Sequence, residues 1–137
     1  MAIQLARKAG WGRKSDLPLA YDFESANGQS APKCARHLLQ FVDAYRKARP
    51  PPDPLHGPEL LDEHRAPVTA SQRNRARRCP LWIAHWEVPQ PQSLEPWGDE
   101  WMLWQHSDRG RIPGVSTKCD TDYFRGGADD FANLIVS

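Results

Sequence analysis

The sequence predicts an α/β fold, in which strands and helices alternate along the chain. Three observations support this prediction: an apolar stretch at 17–23, an amphipathic segment at 31–47, and an aromatic-rich pair of segments at 81–86 and 101–106. Short apolar runs rich in aromatic residues are typical of buried strands, whereas apolar residues at three- and four-residue steps are typical of helices. The length of 137 residues allows one small domain.

The first half of the chain contains a predicted helix, a strand and a second helix. Residues 2–9 are predicted to be helical up to the glycines that follow, and 17–23 to form a strand. The best-supported element is the helix predicted over 31–47, with Ser30 as its N-cap and Pro32 in its first turn. Its apolar residues fall on one face, and they are Ala35, Leu38, Leu39, Val42 and Tyr45.

The second half is predicted to contain two strands, LWIAHW at 81–86 and WMLWQH at 101–106, and a short helix near 129–135. The segment 49–78 between the halves fits neither type of element. It opens with prolines, has no apolar periodicity and ends in the basic run RNRARR. We expect it to be irregular, although 30 structureless residues are unusual inside a compact domain.

The composition argues against several classes of function. With 18 basic and 17 acidic residues and a net charge of +1, the chain has no overall field that favours nucleic acid or an anionic membrane. No apolar run approaches the ~20 residues that cross a bilayer, and no secretion signal is visible, so the localisation stays open. The three cysteines form no CxxC pair, so we expect free thiols and no metal site.

Two carboxylates near the end of the first predicted strand are the most informative polar residues. Asp22 and Glu24 stand two positions apart, and on a strand such side chains point to the same face, with Cα atoms about 6.5–7 Å apart. Cleavage of a glycosidic bond needs a carboxylic acid to protonate the leaving oxygen and negative charge beside the oxocarbenium-like centre. The alternative is a pair of surface acids that flank a strand end.

Four stretches together resemble glycoside hydrolase family 25, the muramidases (lysozymes) of bacteria and phages. They are LPLAYDFES, the helical CARHLLQFVDAYR, LWIAHW and WMLWQHSDRGRIPGVSTKCDTDYF. A D-x-E pair alone is a weak signal, but D-x-E followed in order by L-W-I-A-H-W, W-Q-H-S and G-V-S-x-x-x-D is specific. The resemblance implies a partial (β/α) barrel of the TIM type, in which residues 1–137 form roughly the second half of an eight-stranded glycosidase barrel.

The resemblance also implies an activity and roles for three carboxylates. The family hydrolyses the β-1,4 bond between N-acetylmuramic acid and N-acetylglucosamine in peptidoglycan, and it implies no metal and no cofactor. Glu24 would be the general acid/base, and Asp22 would assist by orienting the substrate's N-acetyl group. Asp120 would be a further carboxylate in the cleft. Asp122 is its rival, but the spacing from Gly114 selects Asp120; the alternative for Asp120 is an Asp that caps a turn.

Four residues are candidates for contact with the peptidoglycan glycan strand. Trp104 and Gln105 are the best of them, followed by Trp82 and His85, because apolar faces of sugar rings pack on aromatic rings. Aromatic residues on strands are also common core residues. A histidine in the middle of a strand, such as His85, is more often a hydrogen-bond partner than a catalyst. The oligomeric state is left open.

Two departures from the family pattern lead us to expect an incomplete catalytic domain. The family's first strand, with its catalytic Asp, has no counterpart in the sequence, and 49–78 lacks the family's I-Y-T-G strand. Codons for 56–68 read one nucleotide later can encode T-G-P-S-Y-W-T-N-I-V-H-P-L, so we predict a frame slip near Arg49 that recovers before Cys79. The alternative to an enzyme is a non-catalytic peptidoglycan-binding remnant or a subunit fragment.

Overall fold

The computed structural model describes residues 2–13, 15–23, 25–48, 55–56 and 69–135. It confirms the α/β fold, with strands and helices alternating over much of the chain. The helices are α1 (Ala2–Lys8), α2 (Ala31–Ala48), α3 (Ala70–Ala76) and α4 (Ala128–Leu134). The strands are β1 (Ala20–Tyr21), β2 (Leu55–His56), β3 (Trp82–Ala84), β4 (Leu103–Gly110) and β5 (Cys119–Phe124).

The described strands form two sheets. In the smaller one, β1 and β2 pair in parallel, with Ala20 opposite Leu55. The larger sheet has the order β3-β4-β5, in which β3 and β4 are parallel and β5 is antiparallel to β4. Parallel neighbours end at the same edge of a sheet, so the residues after β3 lie beside the second half of β4.

Helix α2 confirms the prediction over 31–47 almost to the residue. The backbone amides of Lys33 and Cys34 donate to the carbonyl of Ser30, so the helix begins where the predicted N-cap stands. The apolar positions that the sequence placed on one face are all buried: Ala35, Leu38, Leu39, Val42 and Tyr45. Among the described residues, no helix has both the length and the apolar character that crossing a membrane requires.

The first strand is shorter than the sequence predicted. We expected residues 17–23 to be extended in a sheet, but only Ala20 and Tyr21 pair with another strand. Two features account for the loss at its start. Pro18 has no backbone N–H to donate, and the carbonyl of Leu17 accepts a hydrogen bond from the indole of Trp11 at 2.9 Å, in place of a strand partner.

The segment 49–78, which was expected to be irregular, contains one short strand and one helix. Residues 49–54 and 57–68 lie outside the described residues, but β2 and α3 fall within 49–78. Helix α3 begins with a capping box: the Thr69 hydroxyl accepts from the amide of Gln72 at 3.2 Å, and the Gln72 side chain accepts from the amide of Thr69 at 2.9 Å. Helix α3 was not predicted because the segment has no apolar periodicity, although the Thr69–Gln72 pair is a start signal in the sequence.

The main hydrophobic core lies between the helices and one face of the larger sheet. It contains Leu38 and Val42 of α2, Ala76 of α3, and Ile83 and Trp104 of the sheet. The other face of the sheet packs on α4, where Leu134 lies beside Leu103, Trp82 and Phe124. Both faces of the sheet are therefore covered near the start of β4, which leaves its second half for other contacts.

Candidate active site

The larger sheet divides the predicted site residues between its two faces. Gln105 of β4 is paired with Asp122 of β5, and Trp104 is paired with Tyr123. Because successive side chains on a strand point to opposite faces, Gln105 and Trp104 cannot share one surface. We call the side of Gln105 and Asp122 the acid face, and the side of Trp104 and Tyr123 the aromatic face.

The acid face contains a hydrogen bond between its two outer strands. The indole Nε1 of Trp82 donates to Oδ1 of Asp122 at 2.7 Å. The bond passes over β4, close to Gln105, and fixes the direction of the carboxylate. Trp82 is half-buried and Asp122 is exposed. Asp122 is the acid that the motif spacing ranked second, so the sequence missed this contact.

Asp120 lies two residues before Asp122 on β5, so strand alternation assigns both carboxylates to the acid face. Asp120 is exposed to solvent. Its side chain is therefore accessible to a ligand, whereas that of Asp122 is already held by Trp82. The sequence prediction favoured Asp120, and its role stays a prediction.

Only one residue of the predicted pair Asp22 and Glu24 lies among the described residues. Asp22 follows β1 directly and is exposed, and Glu24 lies outside the described residues. Tyr21, the residue before Asp22, packs on Phe41 of α2 with ring centroids 5.1 Å apart. Burial raises the pKa of Tyr21, and repulsion from the nearby Cys34 adds to this rise. The shared orientation of Asp22 and Glu24 stays a prediction.

Trp104 and His85 are joined to each other in the structure. The indole of Trp104 donates to the backbone carbonyl of His85 at 2.8 Å. Nδ1 of His85 in turn accepts from the amide of Gln92 at 3.1 Å. This arrangement fits the interpretation of His85 as a hydrogen-bond partner. Trp104 itself is 7% exposed and belongs to the main core.

The aromatic face contains a group of polar residues that the sequence did not single out. The side chain of Glu87 accepts a hydrogen bond from Ser107 at 2.9 Å, and the ring of His106 stacks on that of Tyr123. The sequence did not indicate this group because β4 contains a β-bulge. Gln105 pairs with Asp122 and Ser107 pairs with Thr121, so two steps along β4 correspond to one step along β5. Simple alternation along β4 therefore fails after Gln105.

The cysteines agree with the expectation of free thiols, with Cys34 and Cys79 buried and Cys119 half-buried. Across the part of the chain that the structure describes, no three His, Cys, Asp or Glu residues are arranged as metal ligands. The polar groups on the acid face are the carboxylates of Asp120 and Asp122, the amide of Gln105 and the indole N–H of Trp82.

Comparison with known sequences identifies one family. The model of the glycosyl hydrolases family 25 matches residues 4–115. Lysozyme M1 of Streptomyces globisporus is 38% identical over 60 residues, which cover 44% of this chain and 20% of that protein. The uncharacterized protein YegX of Escherichia coli strain K12 is 35% identical over 122 residues, which cover 89% of this chain and 42% of YegX. The chain thus spans less than half the length of these relatives.

Solved structures show the same fold. A family GH25 lysozyme from Aspergillus fumigatus superimposes with a TM-score of 0.63 at 22% identity, covering 98% of this chain and 65% of that one. The spore cortex lytic enzyme SleM of Clostridium perfringens gives 0.63 at 18% identity, covering 97% and 44%. Because the family model matches residues 4–115, which is most of this chain, the chain belongs to the glycosyl hydrolases family 25.

Proposed function

We propose that the chain is part of the catalytic domain of a peptidoglycan muramidase (lysozyme), which hydrolyses the β-1,4 bond between N-acetylmuramic acid and N-acetylglucosamine. The observation that carries this proposal is the family match over residues 4–115, which includes the D-x-E pair and both aromatic strand motifs. Lysozyme M1 and the Aspergillus fumigatus structure, both lysozymes by name, support the same activity.

The proposed chemistry divides between the two acids that follow β1. Glu24 donates a proton to the glycosidic oxygen as that oxygen leaves the anomeric carbon. Asp22 orients the N-acetyl group, whose carbonyl oxygen stabilises the electron-poor anomeric carbon. Water then adds to the sugar and returns a proton to Glu24, which restores the acid. Asp120 supplies further negative charge beside the same centre.

We propose that the two described sheets belong to one partial barrel, with the acid face toward the glycan strand. Trp82 and Gln105 lie on this face, where an indole ring and an amide suit the apolar and polar sides of a sugar ring. Trp104 and His85, the other predicted sugar contacts, are bonded to each other. Their proposed contribution is to hold β3 against β4 and so to position Gln105.

Turbidity of a cell-wall suspension tests the activity of the full chain. We expect slow clearing by the unchanged protein and a loss of at least about 100-fold in Glu24→Gln, because removal of a general acid typically costs about 10²–10⁴-fold. Glu100→Gln is the matched control, since Glu100 forms an exposed ion pair with Arg77 at 3.3 Å, and such pairs contribute little to stability. Equal clearing by Glu24→Gln and the unchanged chain would contradict the assignment.

A second candidate is a non-catalytic module that binds peptidoglycan, or a subunit completed by another chain. The aromatic face favours it, because the exposed ring of Tyr123 can contact a glycan without the help of a catalytic group. Sedimentation with cell walls separates the two. Binding without clearing supports the module, whereas clearing that depends on Glu24 supports the enzyme.

A further inference from the structure

A recess opens on the aromatic face of the larger sheet, on the side away from Gln105 and Asp122. Its volume is about 490 Å³, within the range of about 300–1,000 Å³ that is typical of small-ligand sites. Its lining combines aromatic rings from Trp104, His106 and Tyr123 with polar groups from Glu87 and Ser107. The predicted catalytic residues are not part of this lining.

The floor of the recess consists of three aromatic rings in mutual contact, those of His106, Tyr123 and Trp104, which we call the platform. The rings of His106 and Tyr123 are nearly parallel, with centroids 4.1 Å apart and an angle of 18° between their planes. The ring of Trp104 packs against both, with its centroid 5.9 Å from that of His106 and 5.4 Å from that of Tyr123. Tyr123 is nevertheless 53% exposed, which is unusual for a ring so well supported. The platform therefore offers a fixed, solvent-facing apolar surface.

The rim of the recess contains a carboxylate in a defined position. Glu87 accepts from the hydroxyl of Ser107 at 2.9 Å, and that hydroxyl accepts from the amide of Arg109 at 3.2 Å. The amide of Glu87 donates to the carbonyl of His106 at 3.0 Å, which ties the loop after β3 to β4. Glu87 has φ of +56°, a conformation that is uncommon outside glycine and that clusters at ligand sites.

We propose that this recess binds one pyranose ring of a β-1,4-linked N-acetyl sugar strand, at a site separate from the acid face. The apolar face of the sugar stacks on Tyr123, and its hydroxyls donate to the free lone pairs of the Glu87 carboxylate. The choice of a glycan as ligand rests on the proposed function. The ring contacts of Tyr123 and the hydrogen bonds of Glu87 are observed in the structure and do not depend on that function.

The platform suits a sugar better than it suits an organic cation. Cages for quaternary ammonium groups present several open ring faces around one point. Here His106 already covers one face of Tyr123, and Trp104 is 7% exposed. An exposed phenol ring beside a hydrogen-bonding carboxylate matches the flat, hydroxylated shape of a pyranose.

Titration of the full-length ¹⁵N-labelled chain with tri-N-acetylchitotriose, followed by NMR, tests the proposal. We expect the resonances of the Trp104 indole, Ser107 and Tyr123 to shift with one common affinity. Tyr123→Ala is expected to weaken binding at least about tenfold, which is 1.4 kcal/mol, and Tyr123→Phe to stay within about threefold. Glu87→Gln is expected to weaken binding several-fold while the spectrum of the folded protein persists.

Asp129→Asn is the matched control for Glu87→Gln, because Asp129 is an exposed acid in α4, the helix that packs on the acid face through Phe131. Unchanged affinity in both Tyr123→Ala and Glu87→Gln would overturn the proposal. So would shifts confined to Gln105 and the Trp82 indole, or a preference for choline over the saccharide.

The outcome is separable from that of the proposed muramidase activity. If Glu24→Gln abolishes wall clearing but leaves the recess resonances responsive to the saccharide, both proposals hold. If the chain clears walls and the recess does not respond, only the recess proposal fails. If the recess responds and no preparation clears walls, the recess proposal stands and the enzymatic one fails.

Discussion

The indole of Trp82 and the carboxylate of Asp122 form a 2.7 Å hydrogen bond that spans the middle strand of the larger sheet. The two residues belong to β3 and β5, each of which pairs with β4. Adjacent strands lie about 4.8 Å apart, so the side chains bridge about twice that distance. The bond links the two outer strands directly and holds an acid beside Gln105.

The first prediction concerns the strength of this bridge. Trp82→Phe keeps an aromatic ring but removes the N–H donor, and Asp122→Asn keeps an acceptor but removes the charge. We expect Trp82→Phe to lower the free energy of unfolding by about 0.5–1.5 kcal/mol, the usual net contribution of one hydrogen bond, and Asp122→Asn to lower it by less, because its side-chain oxygen still accepts. The double variant should lose less than the sum, which urea denaturation measures. Strictly additive losses would mean that the two side chains do not interact.

The second prediction separates the two acids of β5. Asp120→Asn is expected to slow wall clearing at least about tenfold, because the proposed cleft loses a negative charge beside the anomeric carbon. Its free energy of unfolding should change by no more than about 0.5 kcal/mol, since Asp120 is exposed. Asp122→Asn is the comparison variant, with an expected effect on stability. Slow clearing in Asp122→Asn alone would show that the motif spacing selected the wrong acid.

The third prediction concerns stability at high pH. Burial, with a smaller contribution from Cys34, raises the pKa of Tyr21, so the folded chain holds this proton more tightly than the unfolded chain does. The contribution of Tyr21 is complete below about pH 10, the unfolded value. It decreases as the pH rises from there through the folded pKa.

Tyr21→Phe should therefore show a shallower loss of unfolding free energy than the unchanged chain above about pH 10. Tyr123→Phe is the control, because its ring is 53% exposed. Urea denaturation at a series of pH values from neutral to alkaline measures the difference. Parallel pH profiles for Tyr21→Phe and the unchanged chain would show that the folded environment does not favour the neutral phenol.

The fourth prediction is read from the coding DNA. Over residues 56–68, the frame one nucleotide later is expected to encode T-G-P-S-Y-W-T-N-I-V-H-P-L. The position of β2 at Leu55–His56, paired with β1, is where the family resemblance expects an I-Y-T-G strand. Sequencing of the gene tests this idea, and codons that cannot encode the shifted peptide would rule it out.

The sequence predicted elements well where one local pattern determines them. Helix α2 needs only apolar residues at helical spacing and a start signal, and both are present in a single stretch of chain. Strand β1 was predicted too long because strand formation depends on a partner. The carbonyl of Leu17 bonds to the indole of Trp11, and a pattern within 17–23 holds no information about that indole.

The motifs indicated candidate site residues, and the roles of those residues stay predictions. They selected Trp82, Gln105 and Asp120, which register and strand alternation assign to the acid face, and also Trp104, which lies on the aromatic face. The same motifs did not indicate that Asp122 is bonded to Trp82, or that Glu87 reaches Ser107. Both contacts join residues that are far apart in the chain, and they exist because β3 and β5 flank β4.

The extra residue in β4 gives this strand one position at which the chain can be shortened without a change of register. Because His106 is the additional residue between two paired positions, its deletion would leave Gln105 and Ser107 adjacent in an uninterrupted ladder. Ser107 would keep its direction toward Glu87, because the residue that follows Gln105 in an unbroken strand also lies on the aromatic face. Loss of this one residue would thus remove the imidazole that stacks on Tyr123 and leave the facing of both of its neighbours unchanged.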